Sequence, residues 1–283
     1  MFTMIGSEGT PLTNITSQQF RGLFARGFQP LSYFSGNVAD NPYPPEGVTP
    51  SANAAWVFAT GRNDGSGTRT TYLAETGYGV TNPVRQYTVL TSSGNAMTSI
   101  QLVPEGGAND SDPVTSGIQP YTGQSTGNAS TVWGQDLPGN GGYSSGSSLR
   151  GHLGLTGGAV TVLDETYTDV FGEPQKLTLV SFLSLADAIK ARDAGAVFLA
   201  YNGVKLDGIA TGSVMTPDDL AKVTNGLYTA WSYQHMYRRN DLTSGDVVTV
   251  YNAIRNNLVL GSAGIAISQM NVGRESDGGT VAP

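Results

Sequence analysis

The chain has 283 residues, 38 of them glycine; 39% are hydrophobic and 13% charged, with a formal net charge of −7. Because the glycines follow no fixed period and no window reaches 18 apolar residues, this composition excludes collagen, a membrane-spanning helix and a disordered chain. The acidic balance without a basic run, and the absence of cysteine, exclude a basic nucleic-acid-binding face, disulfides and thiolate metal sites.

Six segments carry the capping residues or the 3.6-residue periodicity of helices. Thr16 and Gln19 form a capping box, and Thr216 is an N-cap followed by proline at the first helical position. Gly27, Gly77 and Gly195 stand where three of these helices should end. The predicted helices follow Thr16, run from Thr68 to Glu75, cover 147–153, follow Ser184 and Thr216, and place Val247, Val248, Tyr251, Ile254 and Leu258 on one face.

Short apolar runs between the helices predict strands. Alternation in residues 231–239 predicts a further strand with aromatic side chains on one face. Strands that alternate with helices indicate an α/β fold with a partly parallel sheet. Residues 91–148, crowded with Gly, Ser, Thr, Asn, Asp and Pro, predict hairpins and long loops that decorate the sheet. The other predicted strands are 1–6, 54–59, 99–103, 177–182 and 196–200.

The sharpest local feature is a strand, a glycine-rich turn and a helix between residues 56 and 77. Ser66, Gly67 and Thr68 are expected at the N-terminus of the helix, where unpaired N–H groups and the helix dipole favour an anion. A nucleotide-binding P-loop is excluded because its lysine is missing. The alternative interpretation is a glycine-rich turn in which Ser66 or Thr68 only caps the helix.

Two arginines accompany this turn. Arg62 and Arg69 carry guanidinium groups that can bind an oxyanion through two hydrogen bonds. Asp64, two residues after Arg62, is the expected partner that orients it. The residue types of the turn therefore predict an oxyanion site.

The order strand, R-x-D-G-S-G-T, helix resembles the phosphate loop of the periplasmic phosphate-binding proteins of ABC importers. Residues 12–27 resemble the early helix of that family, and residues 195–201 resemble one of its strands. The segments 226–258 and 270–279 resemble its return into the first lobe and its terminal tail.

The resemblance implies an α/β, periplasmic-binding-protein-like lobe with a mixed, mostly parallel sheet over residues 1–226, including the insertion at about 91–148. Residues 227–283 would form a partial second lobe. The implied function is non-enzymatic binding of phosphate or a similar oxyanion, without a cofactor. The implied location is the periplasm or the outside of the cell, with an ABC permease as partner, although the chain shows no signal peptide.

The resemblance also implies roles for individual residues. Arg62, Ser66, Gly67 and Thr68 would contact the oxyanion, and Asp64 would hold Arg62. A second loop facing the cleft would consist of Ser145, Gly146 and Ser147.

The family has an N-terminal half-lobe that has no counterpart before residue 1. Another copy or another chain would then complete the cleft. The alternative function is a structural, self-assembling extracellular protein on a binding-protein scaffold with a vestigial site. Low charge and many small polar residues suit such packed contacts between chains.

Three weaker patterns have simpler structural interpretations. Residues 142–146 match the G-x-S-x-G elbow of hydrolases, with Asp207 and His235 as formal partners, but no apolar strand precedes them, so a turn is favoured. His235 is expected to be packed and hydrogen-bonded, and His152 to be solvated. Residues 110–112 could bind calcium through oxygen ligands, but a solvated acidic turn is the simpler interpretation.

Overall fold

The computed structural model describes residues 1–103, 118–119, 139–206, 215–256 and 264–283. These residues form a mixed α/β structure. Its helices are α1 (Ser17–Arg26), α2 (Ser32–Ser35), α3 (Gly67–Glu75), α4 (Gly146–Leu153), α5 (Leu185–Asp193), α6 (Pro217–Thr224) and α7 (Asp246–Asn256). Its strands are β1 (Phe2–Gly6), β2 (Asn14–Ile15), β3 (Phe28–Pro30), β4 (Trp56–Ala59), β5 (Tyr87–Ser93), β6 (Ala96–Leu102), β7 (Ile118–Gln119), β8 (Gly142–Tyr143), β9 (Thr161–Leu163), β10 (Leu177–Ser184), β11 (Val197–Phe198) and β12 (Ala200–Tyr201).

The central sheet has the strand order β11-β1-β10-β4-β3. Within it, β4 and β10 pair in parallel, whereas β1 is antiparallel to both of its neighbours and β3 is antiparallel to β4. The predicted mixed sheet is confirmed, but the prediction that it is mostly parallel is wrong. An apolar run that is buried on both faces reads the same in either direction, so the pattern of residues did not determine strand direction.

An aromatic layer joins the sheet to the helices on one face. Phe182 of β10 is fully buried and stacks on Tyr72 of α3, with ring centroids 4.7 Å apart. The ring centroids of Phe20 and Phe24 in α1 lie 5.8 and 5.6 Å from that of Phe182. This layer fixes α3, and with it the glycine-rich turn, against the centre of the sheet.

The predicted caps are confirmed. Thr16 accepts a hydrogen bond from the Gln19 N–H in a complete capping box, and Gly27 ends the helix with a φ of +89°. Ser184 and Thr216 accept from the third residue of α5 and α6 in the same way. Caps are local interactions between residues three apart, which is why the sequence predicts them well.

Smaller sheets flank the central one. β5 and β6 form an antiparallel hairpin that begins four residues before the predicted insertion and continues into it, and β9 adds to β6 in parallel. The predicted strand at 196–200 divides at Leu199, because β11 pairs with β1 whereas β12 pairs with β2. Most of the insertion, including residues 110–112, lies outside the described residues.

The segment after residue 226 differs most from expectation. Residues 231–239 form no strand, because no neighbouring described strand pairs with them. The predicted helix near residue 250 exists as α7, but Val247, Val250 and Ile254 are exposed, and Val248 and Tyr251 are only half-buried. Three backbone hydrogen bonds in the described part of the chain tie this segment to the rest: Phe2 N–H donates to Ala230, Tyr228 N–H donates to Lys222, and Asn271 N–H donates to Thr224. No described helix has the length and the apolar character that crossing a membrane requires.

Candidate functional site

The glycine-rich turn leaves the sheet at the end of β4 and enters α3 at Ser66. Ser66 is buried, and its Oγ accepts a hydrogen bond from the Arg69 N–H at 3.4 Å. Its N–H donates to the carbonyl of Asn63, which closes the turn. The Ser66 hydroxyl is therefore occupied as the N-cap of α3, as the simpler interpretation of the sequence proposed.

The first N–H groups of α3 are open. No hydrogen bond within the described part of the chain uses the N–H of Gly67 or of Thr68. Gly67 is exposed and Thr68 is half-buried, so both N–H groups are within reach of solvent. Unpaired N–H groups at the positive end of a helix dipole are suited to an anion.

Arg62 is oriented by backbone carbonyls. Its Nε donates to the carbonyl of Tyr143 at 3.1 Å, and its Nη2 donates to the carbonyl of Ser144 at 3.0 Å. Its Nη1 has no hydrogen-bond partner among the described residues. Asp64 is exposed and makes no ion pair with Arg62 in the described structure, so the expected orienting role belongs to the carbonyls of residues 143–144.

The turn and residues 142–144 are also joined through their backbones. Tyr143 N–H donates to Gly61 at 2.9 Å, and Asn63 N–H donates to Tyr143 at 3.1 Å. Gly142 makes this approach possible, because a Cβ there would stand 2.6 Å from the Gly61 carbonyl oxygen. The orientation of Arg62 thus depends on a glycine some 80 residues away in the sequence.

Substitution of Gly142 by alanine is expected to separate the two segments. We expect the free energy of unfolding to fall by about 1–3 kcal/mol, because backbone atoms must move to make room. Thermal or urea unfolding measures this change. Gly151→Ala is the matched control, since Gly151 lies in α4 and a Cβ added there would meet open space. Its free energy of unfolding should rise by about 0.5–1 kcal/mol. Equal stability of the two variants would contradict the close approach.

The second predicted loop forms the N-terminus of α4. Ser145 is the N-cap, and its Oγ accepts from the Ser148 N–H at 3.0 Å. Gly146 lies against the Asp187 carboxylate, so closely that a Cβ at this position would collide with it. The N-terminus of α4 therefore already faces an anion of its own chain.

The Asp187 carboxylate supplies a negative charge near the Arg62 guanidinium. Its Oδ1 accepts from Arg150 at 2.9 Å, and its Oδ2 accepts from the hydroxyl of Ser184 at 3.1 Å. Burial lowers the pKa of Arg62, and the charge of Asp187 opposes that shift. An arginine keeps its proton at neutral pH, so the turn retains a cation.

Arg69 lies behind the turn rather than beside an open site. It is 5% exposed, and it donates to the backbone carbonyl and to the side-chain Oδ1 of Asn140 at 2.6 and 2.5 Å. It also donates to the Arg62 carbonyl at 3.4 Å. Its place in the structure is a link between α3 and residues 139–141, which the sequence did not predict.

Gln86 is a further residue that sequence reasoning missed. It is buried, and its Nε2 donates to Gly141 at 2.6 Å and to Arg62 at 3.3 Å, both through backbone carbonyls. Like Asn140 and Asp187, it supports the turn from a distant part of the chain. A single glutamine or asparagine in an ordinary context carries no local signal of such a contact.

Within the described part of the chain, neither histidine hydrogen-bonds to the other or to a serine hydroxyl. His152 is half-buried, with its Nδ1 3.0 Å from the Ser148 carbonyl and its ring 5.1 Å from that of Tyr143. The prediction that His152 is solvated is therefore wrong, because the ring is packed. Burial lowers the pKa of His152. The Nε2 of His235 lies 3.0 Å from the Asp277 carboxylate, which confirms the predicted hydrogen bond, but the prediction that this histidine is packed is wrong because its side chain is exposed. Asp207 lies outside the described residues, within which no group of three possible metal ligands occurs.

Comparison with known proteins gives no match. No protein-family model matches the chain, and no curated protein matches it.

Proposed function

We propose that this chain is a non-enzymatic binding protein for phosphate or a similar oxyanion, which it holds at the N-terminus of α3. The observation that carries the proposal is the Arg62 guanidinium, fixed by the carbonyls of residues 143–144 with its Nη1 free. The open N–H groups of Gly67 and Thr68 supply further donors. A cation and several N–H donors that are already oriented suit an anion with three or four oxygens.

In this proposal, some residues of the turn contact the oxyanion, and the neighbouring residues support them without contacting it. Ser66 supports the site as the helix cap, and Arg69 supports it from behind through Asn140. Asp187 occupies the N-terminus of α4, so Ser145, Gly146 and Ser147 serve as a wall of the site and not as a second anion cradle. Asp64 remains free to orient toward solvent.

The proposal also covers the location of the protein and its partner. The order of strand, turn and helix, and its likeness to the phosphate loop of periplasmic phosphate-binding proteins, support a binding-protein-like lobe outside the cytoplasm. An ABC permease would be the partner of such a lobe.

Replacement of Arg62 by alanine is expected to abolish or strongly weaken phosphate binding while the fold survives. Loss of a charge-assisted hydrogen bond costs about 1.5–3 kcal/mol, which corresponds to a roughly 10- to 150-fold rise in Kd. Isothermal titration calorimetry of phosphate-stripped protein measures this, with sulfate as the competing oxyanion. Arg239→Ala is the control, because Arg239 is an exposed arginine paired with Asp241 and lies outside the turn.

Two results would contradict the proposal. One is a parent chain that gives no saturable heat with phosphate or sulfate. The other is an Arg62→Ala variant that binds as tightly as the parent. Circular dichroism of each variant separates a lost site from a lost fold.

The second candidate function is assembly through the part of the chain after residue 226. Large apolar side chains are exposed there: Leu227 by 64%, Tyr237 by 87% and Ile267 by 74%. Surfaces of this kind commonly mark contacts with other chains. A parent that stays monomeric on concentration and binds phosphate fully would count against assembly.

A further inference from the structure

Residues 231–237 form a ladder of rings on an extended backbone. The ring centroids of Trp231, Tyr233, His235 and Tyr237 follow one another at 5.5, 6.2 and 5.9 Å. In a β-strand, side chains two residues apart lie on one face at about 6.5 Å. The alternation that predicted a strand is therefore present, although the strand has no partner.

One edge of this segment is covered and the other is open. Tyr233 N–H donates to the Asp277 carboxylate at 2.9 Å, so the edge that carries the backbone groups of the odd-numbered residues faces the chain itself at Tyr233. The backbone groups of the even-numbered residues from 232 to 238 face the opposite edge; the chain turns just before it, where Trp231 N–H donates to Thr229 at 2.7 Å and Phe2 N–H donates to Ala230. Beyond that contact, no backbone hydrogen bond in the described structure uses Ser232, Gln234, Met236 or Arg238.

A largely unpacked helix lies against the Arg238 side chain of the same segment. The Arg238 guanidinium lies 5.0 Å from the ring centroid of Tyr251 in α7. On α7, Val247, Val250 and Ile254 are 56%, 57% and 46% exposed. A helix of this length rich in β-branched residues is marginal in water without packing, so a covering surface would stabilise it.

The distribution of charge favours a second copy as the cover. Residues 228–283 contain four Lys or Arg and four Asp or Glu, so the whole net charge of −7 belongs to residues 1–227. Two copies that meet through residues 228–283 avoid the repulsion that would oppose contact between their acidic parts.

We propose that residues 232–239 pair in an antiparallel ladder with the same residues of a second copy, about a two-fold axis at Met236. The axis must lie at an even-numbered residue, because that edge is open. An axis at Gln234 would bring the partner strand against Phe2, and an axis at Arg238 would oppose two arginines. The axis at Met236 instead pairs Gln234 with Arg238 and Tyr233 with Arg239.

This ladder makes the same contacts in both copies, as a two-fold symmetric dimer requires. Tyr233 opposite Arg239 is a favourable cation–π pair, and His235 opposite Tyr237 is a pair of rings of the kind that stabilises sheets. The pairing adds a strand to an open edge, which satisfies backbone groups that otherwise face water.

The absence of cysteine from the chain allows a direct test. In an antiparallel ladder the two Met236 residues form a hydrogen-bonded pair with Cα atoms about 5.5 Å apart, which suits a disulfide. Met236→Cys is expected to give a covalent dimer under mild oxidation, at least ten times faster than the exposed Glu46→Cys, which reports random collision. Sedimentation of the unmodified parent should show a reversible dimer.

A backbone variant completes the experiment. Met236→Pro removes one N–H from the ladder and should raise the dimer dissociation constant at least tenfold, whereas Met236→Ala keeps the N–H and should not. Phosphate titration of Met236→Pro should be unchanged, because the oxyanion turn is elsewhere. A parent that sediments as a monomer at about 100 μM overturns the proposal, and so does a dimer in which Met236→Cys crosslinks no faster than Glu46→Cys.

Discussion

Replacement of Arg274 by alanine is expected to lower the free energy of unfolding by about 3–5 kcal/mol, because it leaves a buried carboxylate without its partner. The Arg274 side chain is fully buried and donates to Glu75 at 2.7 Å and to the Thr229 carbonyl at 2.9 Å. Its guanidinium also lies 4.0 Å from the ring centroid of Trp231. Urea unfolding followed by circular dichroism measures the loss.

The matched controls separate charge from packing. Arg239→Ala removes an exposed arginine paired with Asp241, and should cost at most about 1 kcal/mol. The double variant Glu75→Met, Arg274→Met should be far less destabilised than Arg274→Ala, since apolar replacement of a buried pair is often neutral. A loss below about 1 kcal/mol for Arg274→Ala would contradict the buried pair.

Hydrogen bonds do not fully offset the burial of the Glu75–Arg274 pair, which supports the expected loss of stability. Burial raises the pKa of Glu75, although hydrogen bonds to Thr229 and Arg274 oppose the rise. The Nε of Arg274 and the Nε1 of Trp231 are buried without hydrogen-bond partners in the described structure. Glu75 ends α3, so Arg274 connects the C-terminal part of the chain to the helix that begins at the oxyanion turn.

Replacement of Phe182 by alanine should cost about 3–5 kcal/mol, as for other buried aromatic residues. Phe182 is fully buried and contacts the rings of Tyr72, Phe20 and Phe24. Its loss would leave a cavity between the central sheet and both α1 and α3. Thermal unfolding should show a large fall in Tm, and phosphate binding should weaken only where the fold begins to unfold.

Tyr43→Ala is the control for Phe182→Ala. Tyr43 is 58% exposed and its ring lies 6.1 Å from that of Trp56. We expect a change of about 1 kcal/mol or less. Similar losses for the two variants would mean that the aromatic layer does not support the sheet as described.

The sequence predicted the local features of the fold. The capping box at Thr16, the N-caps at Ser184 and Thr216, and the turn into α3 at Ser66 all occur where the pattern of residues placed them. Each depends on a side chain and a backbone group within about three residues of each other, so the necessary information is contiguous in the chain.

Long-range contacts were not predictable in this way. The direction of β1 and β3, the burial of Arg69 against Asn140 and the place of Asp187 beside Gly146 involve partners that the chain brings together from afar. Many pairings of apolar runs satisfy the same pattern, and a lone polar residue does not reveal its distant partner.

The candidate site shows both kinds of information in one turn. The sequence by itself determined that residues 61–68 form a glycine-rich turn with open N–H groups at the start of a helix, because turn and cap chemistry is local. Only the tertiary structure decided that Arg62 is oriented by the carbonyls of residues 143–144 and not by Asp64. The physical reason is that a partly buried guanidinium donates to whichever acceptors the folded chain brings nearest, and these lie some 80 residues away in the sequence.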